Sequence, residues 1–203
     1  LLVASIPVLL IVLQPDLGTV LIISASVITM IAVSGARIRW LVGLLIVGLT
    51  GVYLAISSGA LSEYQLKRLR SFVDPTADPQ ASGYQLRQAR ITIGSGGFFG
   101  KGLFNGPQTN GRFVPEQHTD FIFDTIGEEW GFIGATTFLL IFCGLLMRIV
   151  ILAERQSTTF GRVLGYSLAC VLFFHLSINI GMTIGLVPTI GIPLPFISFG
   201  GSS

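Results

Sequence analysis

GFIGATTFLLIFCGLLMRIVILA, residues 131 to 153, carries a single charged side chain, Arg148. A helix of that length rises about 34 Å at ~1.5 Å per residue, enough to cross a hydrocarbon core roughly 30 Å thick. Inside lipid the backbone must satisfy its own polar groups, which a helix does and an open-edged strand does not. The stretch therefore predicts a membrane-spanning helix.

The same reading extends outward. Residues 163 to 187 carry no charge apart from what His175 acquires, and residues 17 to 35 and 40 to 60 carry none. Leu1 to Leu13 is apolar but too short to span unaided, and the chain opens inside it without a Met. Five helices are expected, in a piece of a longer protein with further helices on both sides. Composition agrees: 51% of the 203 residues are hydrophobic, 11% are charged, and the mean hydropathy is +0.79. The expected fold is an all-α, polytopic transmembrane helix bundle forming one membrane domain over 1–203. Residues 61–130 form a long extracytoplasmic loop containing short helices. A net charge of +2, with no Lys/Arg run interleaved with aromatics, excludes a nucleic-acid partner. Cys143 and Cys170 lie in apolar segments with no metal-ligand or CxxC spacing and read as buried, inert thiols.

Short loops set the orientation. Arg37 and Arg39 mark one connection and Arg155 and Arg162 another, on one side of the membrane, which the positive-inside rule makes cytoplasmic. QPDLG at 14–18, the long loop, and PTIGIPLPFISFGGSS at 188–203 then meet on the outer face. Within the long loop, LSEYQLKRLRSFV at 61–73 has the spacing of an interfacial helix, DPTADP at 74–79 breaks it, and YQLRQARITI at 84–93 has mixed periodicity.

GSGGFFGKG at 94–102 suggests a phosphate loop, but Ser95 and Gly102 break the Walker pattern, and Phe99 occupies the third glycine position of a dinucleotide fingerprint. Glycines that let N–H groups approach an anion, with Lys101 beside them, leave two readings: a lipid-diphosphate site or a tight turn near the membrane. In FVPEQHTDFIF at 113–123 a helix is expected to begin with Thr119 or His118 near its N-cap, placing Asp120, Asp124 and Glu128 on one face. That face is either a solvated acidic stripe at the positive end of the helix dipole or a catalytic one. Phe121, Ile122 and Phe123 draw Asp120 toward apolar surroundings, where desolvation raises a carboxyl pKa toward the range of a general base. Asp120 is the favoured catalytic residue. His118 is a second acid/base or a cap, and Glu116 orients a substrate or faces water. His175 and Asn179 share a helix face at membrane depth, suited to interhelical hydrogen bonding or to a cavity. Asp16 is an N-cap or contributes to the outer cavity.

QPDLGT at 14–19, SFVDPTADP and GYQ within 71–85, IGSGGFFGKG at 93–102, VPEQHTDFIF at 114–123, IGEEWG at 126–131 and GIPLPFISFGGSS at 191–203, in this order and spacing, resemble the SEDS family (RodA, FtsW and SpoVE) and most of all its RodA branch. Leu17, where the FtsW branch has Phe, supports that branch only softly. The resemblance implies a bacterial inner-membrane peptidoglycan glycosyltransferase of about ten helices, of which this chain holds the fifth to the ninth. Its active site would lie on the outer face, where it polymerises lipid II during cell-wall elongation beside a class B penicillin-binding protein. The Asp of the family's TDFIF motif is catalytic, which implies Asp120. Lys101, Arg68 and the turn of Ser95, Gly96 and Gly97 are the expected ligands of the leaving diphosphate, and Glu116, His118 and Thr119 are expected to contact substrate. No metal cluster is recognisable in the sequence, and the resemblance leaves room for a divalent cation, Mg or Mn, to share the diphosphate. Asp124 departs from the small residue expected after TDFIF and could tune Asp120 or replace it. The competing classes are a flippase or transporter of lipid-linked precursors, an FtsW-type division polymerase, and a scaffold. A flippase needs hydrated charges across the bilayer, whereas these ionisable groups gather on one face.

Overall fold

The computed structural model describes residues 17–57, 66, 68, 82–111, 113 and 119–199, and the regular structure among them is entirely helical. In chain order the helices are α1 (Leu17–Val33), α2 (Ile38–Ser57), α3 (Ser82–Ser95), α4 (Pro107–Asn110), α5 (Ile122–Glu154) and α6 (Thr159–Ile184). α5 and α6 are long and apolar enough to cross a membrane, and α1 and α2 coincide with the two other uncharged runs. YQLRQARITI, ambiguous by periodicity, lies within α3. Asp16 and most of the expected interfacial helix lie outside the described residues.

The chain divides into two compact units. The first comprises residues up to 66 together with 145–174. In it α1 packs against α2 across a turn made by Gly35 at φ 80, whose N–H bonds Ala32 O. A left-handed residue of this kind is the usual way to stop a helix, and glycine adopts it without a Cβ penalty. The end of α5 and the start of α6 form a tight antiparallel pair. Gly165 faces Ala153 so closely that a β-carbon on it would stand 2.6 Å from the Ala153 Cβ, and Tyr166 donates a 3.0 Å hydrogen bond to Glu154.

Apolar side chains face outward from these helices. Ile46, Val47 and Leu140 are all exposed, as expected of helices hydrophobic on every side. The same property corrects the reading of the cysteines. Cys143 is exposed, because in such a chain an apolar flank belongs to an outward face as readily as to a core. Cys170 is half-buried, with its Sγ 2.9 Å from Thr29 Oγ1.

The second unit, residues 67–144 and 175–203, is built around the end of α6 and the tail that follows it. Met182 and Leu194 are fully buried there, with Leu176, Ile178 and Ile192 also in the core. α6 ends where Leu186 N–H bonds Gly181 O at 2.7 Å, with Gly185 at φ 78 and Pro188 beyond it, a helix stop that turns the tail back over the unit. Ala89 of α3 packs with Phe121, just ahead of α5.

α5 is broken once, at Gly131 (φ 65, ψ −162). The break leaves Glu128 O and Glu129 O without donors from their own helix, and the 97–102 loop supplies them. Lys101 N–H and Gly102 N–H bond those carbonyls at 3.0 Å each, while Phe132 N–H and Ile133 N–H bond Gly97 O and Phe98 O at 2.9 and 3.2 Å. Only glycine fits on either side of the seam. A β-carbon on Gly131 would overlap Gly100 N, and one on Gly100 would overlap Glu129 O.

Candidate active site

Asp120 sits in the turn immediately before α5, which starts at Ile122, two or three residues later than a cap at Thr119 or His118 would have it. Its side chain meets the tail at Gly191. A β-carbon on Gly191 would stand 3.1 Å from Asp120 Oδ2 and 3.7 and 3.9 Å from the two terminal nitrogens of Arg68, so carboxylate and guanidinium flank one point. Gly191 is at φ 80, a backbone that disfavours any side chain. The Arg68 guanidinium also donates to Ile190 O at 2.8 Å, which fixes it against the tail. Two residues expected at the site from separate parts of the sequence are thus brought together.

The backbone beneath Asp120 is clamped by two polar side chains. Asn179, fully buried in α6, donates from Nδ2 to Asp120 O at 2.8 Å and to Ile192 O at 2.7 Å, tying the Asp120 turn to the tail. Ser198 Oγ donates to Thr119 O at 2.6 Å and accepts from Leu194 N–H at 2.7 Å. Asn179 from α6 and Ser198 from the tail thus hold the backbone on either side of the Asp120 turn.

Asp124 and Glu128, readable as a solvated stripe, are buried with 1% and 0% exposure. Glu128 accepts hydrogen bonds from Ser95 Oγ, Gln108 N–H, Thr109 N–H, Thr109 Oγ1 and Lys101 Nζ, at 2.7 to 3.3 Å. It joins α3, the loop and α4 to α5. Among the expected diphosphate ligands, Ser95 and Lys101 therefore turn toward Glu128, and Gly96 N–H bonds Ile93 O. Gly96 also packs so tightly against Gly127 and Glu128 that no side chain fits. A diphosphate bound here would displace these contacts. Gly97 gives its carbonyl to Phe132. Neither carboxyl oxygen of Asp124 has a hydrogen-bond partner. Glu116 and His118 lie outside the described residues.

These donors do not fit a resident divalent cation. The Glu128 oxygens are already filled by five donors, Asp124 is sealed, and Asp120 faces a guanidinium. Among the described residues no three His, Cys, Asp or Glu gather as a metal site would require.

Gly191, Asn179, Ser198 and Glu128 carry the site's geometry. Asn179 was visible as a polar residue at membrane depth and Glu128 as a member of the acidic stripe. Gly191 and Ser198 fall within GIPLPFISFGG, whose only local signal is its Pro/Gly spacing.

Residues 1–203 match the family described as cell cycle protein, FtsW/RodA/SpoVE. The chain belongs to this family. It is 40% identical over 197 residues to the peptidoglycan glycosyltransferase MrdB of Escherichia coli (strain K12), covering 97% of this chain and 53% of that protein. It is 38% identical to the probable peptidoglycan glycosyltransferase FtsW of Geobacter sp. (strain M18), covering 94% of this chain and 51% of the relative. It is 42% identical to the stage V sporulation protein E of Bacillus subtilis (strain 168), covering 96% and 52%. The chain thus spans about half the length of these relatives, and identities of 38 to 42% do not separate the RodA and FtsW branches. A solved structure concerned with the structural coordination of polymerization and crosslinking by a peptidoglycan synthase complex contains a similar chain. Its TM-score is 0.76 at 31% identity, covering 99% of this chain and 55% of the other. The FtsW/RodA/SpoVE family, the all-helical fold and the apolar spans make this an inner-membrane protein.

Proposed function

We propose that the full protein containing this chain is a peptidoglycan glycosyltransferase that polymerises lipid II on the outer face of the inner membrane, with Asp120 as general base. The carrying observation is the convergence of Asp120 Oδ2 and the Arg68 guanidinium on Gly191, over a backbone held by Asn179 and Ser198. Asp120 takes the proton from a sugar 4-hydroxyl of lipid II, and that oxygen attacks the anomeric carbon of the growing strand from the face opposite the leaving group. The new C–O bond forms with inversion as the bond to undecaprenyl diphosphate breaks, and the departing diphosphate carries away the negative charge. A positioned base of this kind contributes about 10²–10⁴-fold to such a step. Arg68, whose planar fork suits phosphate oxygens, sits where it can meet the diphosphate charge as it develops. The similarity to a chain from a polymerising and crosslinking complex supports a crosslinking partner, a class B penicillin-binding protein.

The test is glycan-strand formation from purified lipid II by the full-length protein with its partner present. Asp120→Ala and Asp120→Asn are expected to abolish it while leaving the folded protein intact. Retained polymer with Asp120→Ala, and its loss with Asp124→Ala, would transfer the base to Asp124. Undiminished polymer in every such variant would move the base to another residue, and no polymer from the wild-type protein would reduce the chain to a scaffold.

A further inference from the structure

The glycine loop bears a group of side chains that the glycosyl-transfer chemistry leaves unused. Phe98, Phe99 and Phe104 are 59, 80 and 76% exposed, and Leu103, Trp130 and Phe132 beside them are more than half exposed. Phe98 stacks on Phe132 with ring centroids 5.6 Å apart, and Phe99 meets Phe98 edge-on at 5.3 Å. So many large apolar rings facing outward from one short segment mark a surface made to be covered.

We propose that the 97–104 segment is an interfacial anchor, seating its phenylalanines in bilayer lipid at the Gly131 end of the α5 span.

Three observations select lipid as the occupant. The first is level. Residues 132 to 154 rise about 34 Å at ~1.5 Å per residue, against a hydrocarbon core of roughly 30 Å. The first turn after Gly131 is therefore where α5 passes from headgroups into hydrocarbon, and the loop is bonded to that turn through Phe132 N–H and Ile133 N–H. Aromatic residues concentrate at this depth in membrane proteins.

The second is the backbone. Irregular chain near hydrocarbon is tolerated where its polar groups are satisfied by protein. Here Lys101 and Gly102 give their N–H groups to α5, Gly97 O and Phe98 O accept from α5, and Asn110 Nδ2 bonds Phe104 O at 2.8 Å. The Lys101 ammonium is likewise paired with Glu128 at 3.3 Å. The polar atoms turn inward and the rings outward, the reverse of a water-facing loop.

The third is continuity. Phe99, Leu103, Trp130 and Ile133, with the buried Glu129 as its one charged residue, wall an open, largely apolar groove that runs onto α5 at Gly134 and Thr137, and farther along that helix Leu140 and Ile141 are 68 and 69% exposed. The patch extends the lipid-facing surface of the span, and the groove has the chemistry to accept an acyl chain.

The experiment uses the full-length protein in lipid nanodiscs, with native cysteines replaced and a nitroxide attached at Phe99→Cys or Phe104→Cys. Leu140→Cys serves as the reference for a lipid-facing position. Collisions with oxygen, which dissolves in lipid, are compared with collisions with a water-soluble nickel chelate. The anchor requires both loop labels to collide severalfold more with oxygen than with the chelate, with a shallower depth than the Leu140→Cys label. Preferential collision with the chelate overturns the proposal in favour of a water-facing loop. Exclusion of both reagents overturns it in favour of a protein cover, from the partner or from other helices of the same chain. The readout is independent of catalysis, so it separates this proposal from the assignment of Asp120.

Discussion

Glu128 is a fully buried carboxylate whose position is set by what surrounds it. Five donors from Ser95, Lys101, Gln108 and Thr109 close on its two oxygens, supplying the solvation that water otherwise provides. Glu128→Ala would leave those donors facing a void, and stability is expected to fall by about 3–5 kcal/mol, read as a lower unfolding temperature of the purified full-length protein. Glu128→Gln keeps one acceptor oxygen and is expected to cost markedly less. Gly191 presents the opposite case, a residue whose value is having no side chain. Gly191→Ala forces a β-carbon into a positive-φ backbone at a cost of about 1–3 kcal/mol and sets a methyl 3.1 Å from Asp120 Oδ2. Polymerisation is expected to fall by a larger factor than the stability loss explains, with a midpoint of unfolding measured alongside the rate. Asp120 stood out in the sequence as a carboxylate directly ahead of Phe121, Ile122 and Phe123. Gly191 did not, because a glycine has no chemistry of its own and its role comes from what comes to rest beside it. Arg68 could be named from its charge alone, but its approach to Asp120 depends on a tail more than a hundred residues farther on.

At the scale of elements, four of the five expected apolar helices were legible, and the first, Leu1 to Leu13, lies outside the described residues. An uncharged run long enough to cross lipid has little choice but to be helical. The break in α5 was not legible, since a single glycine inside a helical pattern is commonly tolerated. What forces the break is a segment some thirty residues earlier, whose backbone enters the helix and replaces its missing donors. Gly131→Ala and Gly100→Ala each place a β-carbon against backbone atoms that have no room to move. Each is expected to lower the yield of folded full-length protein in membranes and its unfolding temperature, by more than Gly144→Ala, where nothing lies within 4 Å of the added carbon. A comparable drop in all three variants would mean that helix propensity, and not the seam, sets the effect. Of the glycines that suggested an anion cradle, Gly96 and Gly100 are accounted for by backbone contact with α5, and Gly97 and Gly102 by their positive φ.

For the molecule as a whole, sidedness rests on arginines. Arg37, Arg39, Arg155 and Arg162 occupy alternate short connections, from which the positive-inside rule predicts the 94–110 segment and the Asp120 turn on the opposite side of the membrane. A cysteine in place of the exposed Asn105 of the full-length protein is expected to react with a membrane-impermeant maleimide in cells whose inner membrane is intact. Reaction only after that membrane is opened would reverse the orientation and remove the outer-face chemistry with it. Composition and charge placement supply this expectation without coordinates. The return of the 188–199 tail over Asp120 they do not, because its governing contacts are made by carbonyls that every sequence possesses. The seam at Gly131 also bears on how such a protein changes over generations. Its donors and acceptors are matched pair by pair, so one codon added or lost between 97 and 102 would throw the pairs out of step. The side chains there have far more freedom to drift, and lineages should keep the segment's length more strictly than its spelling.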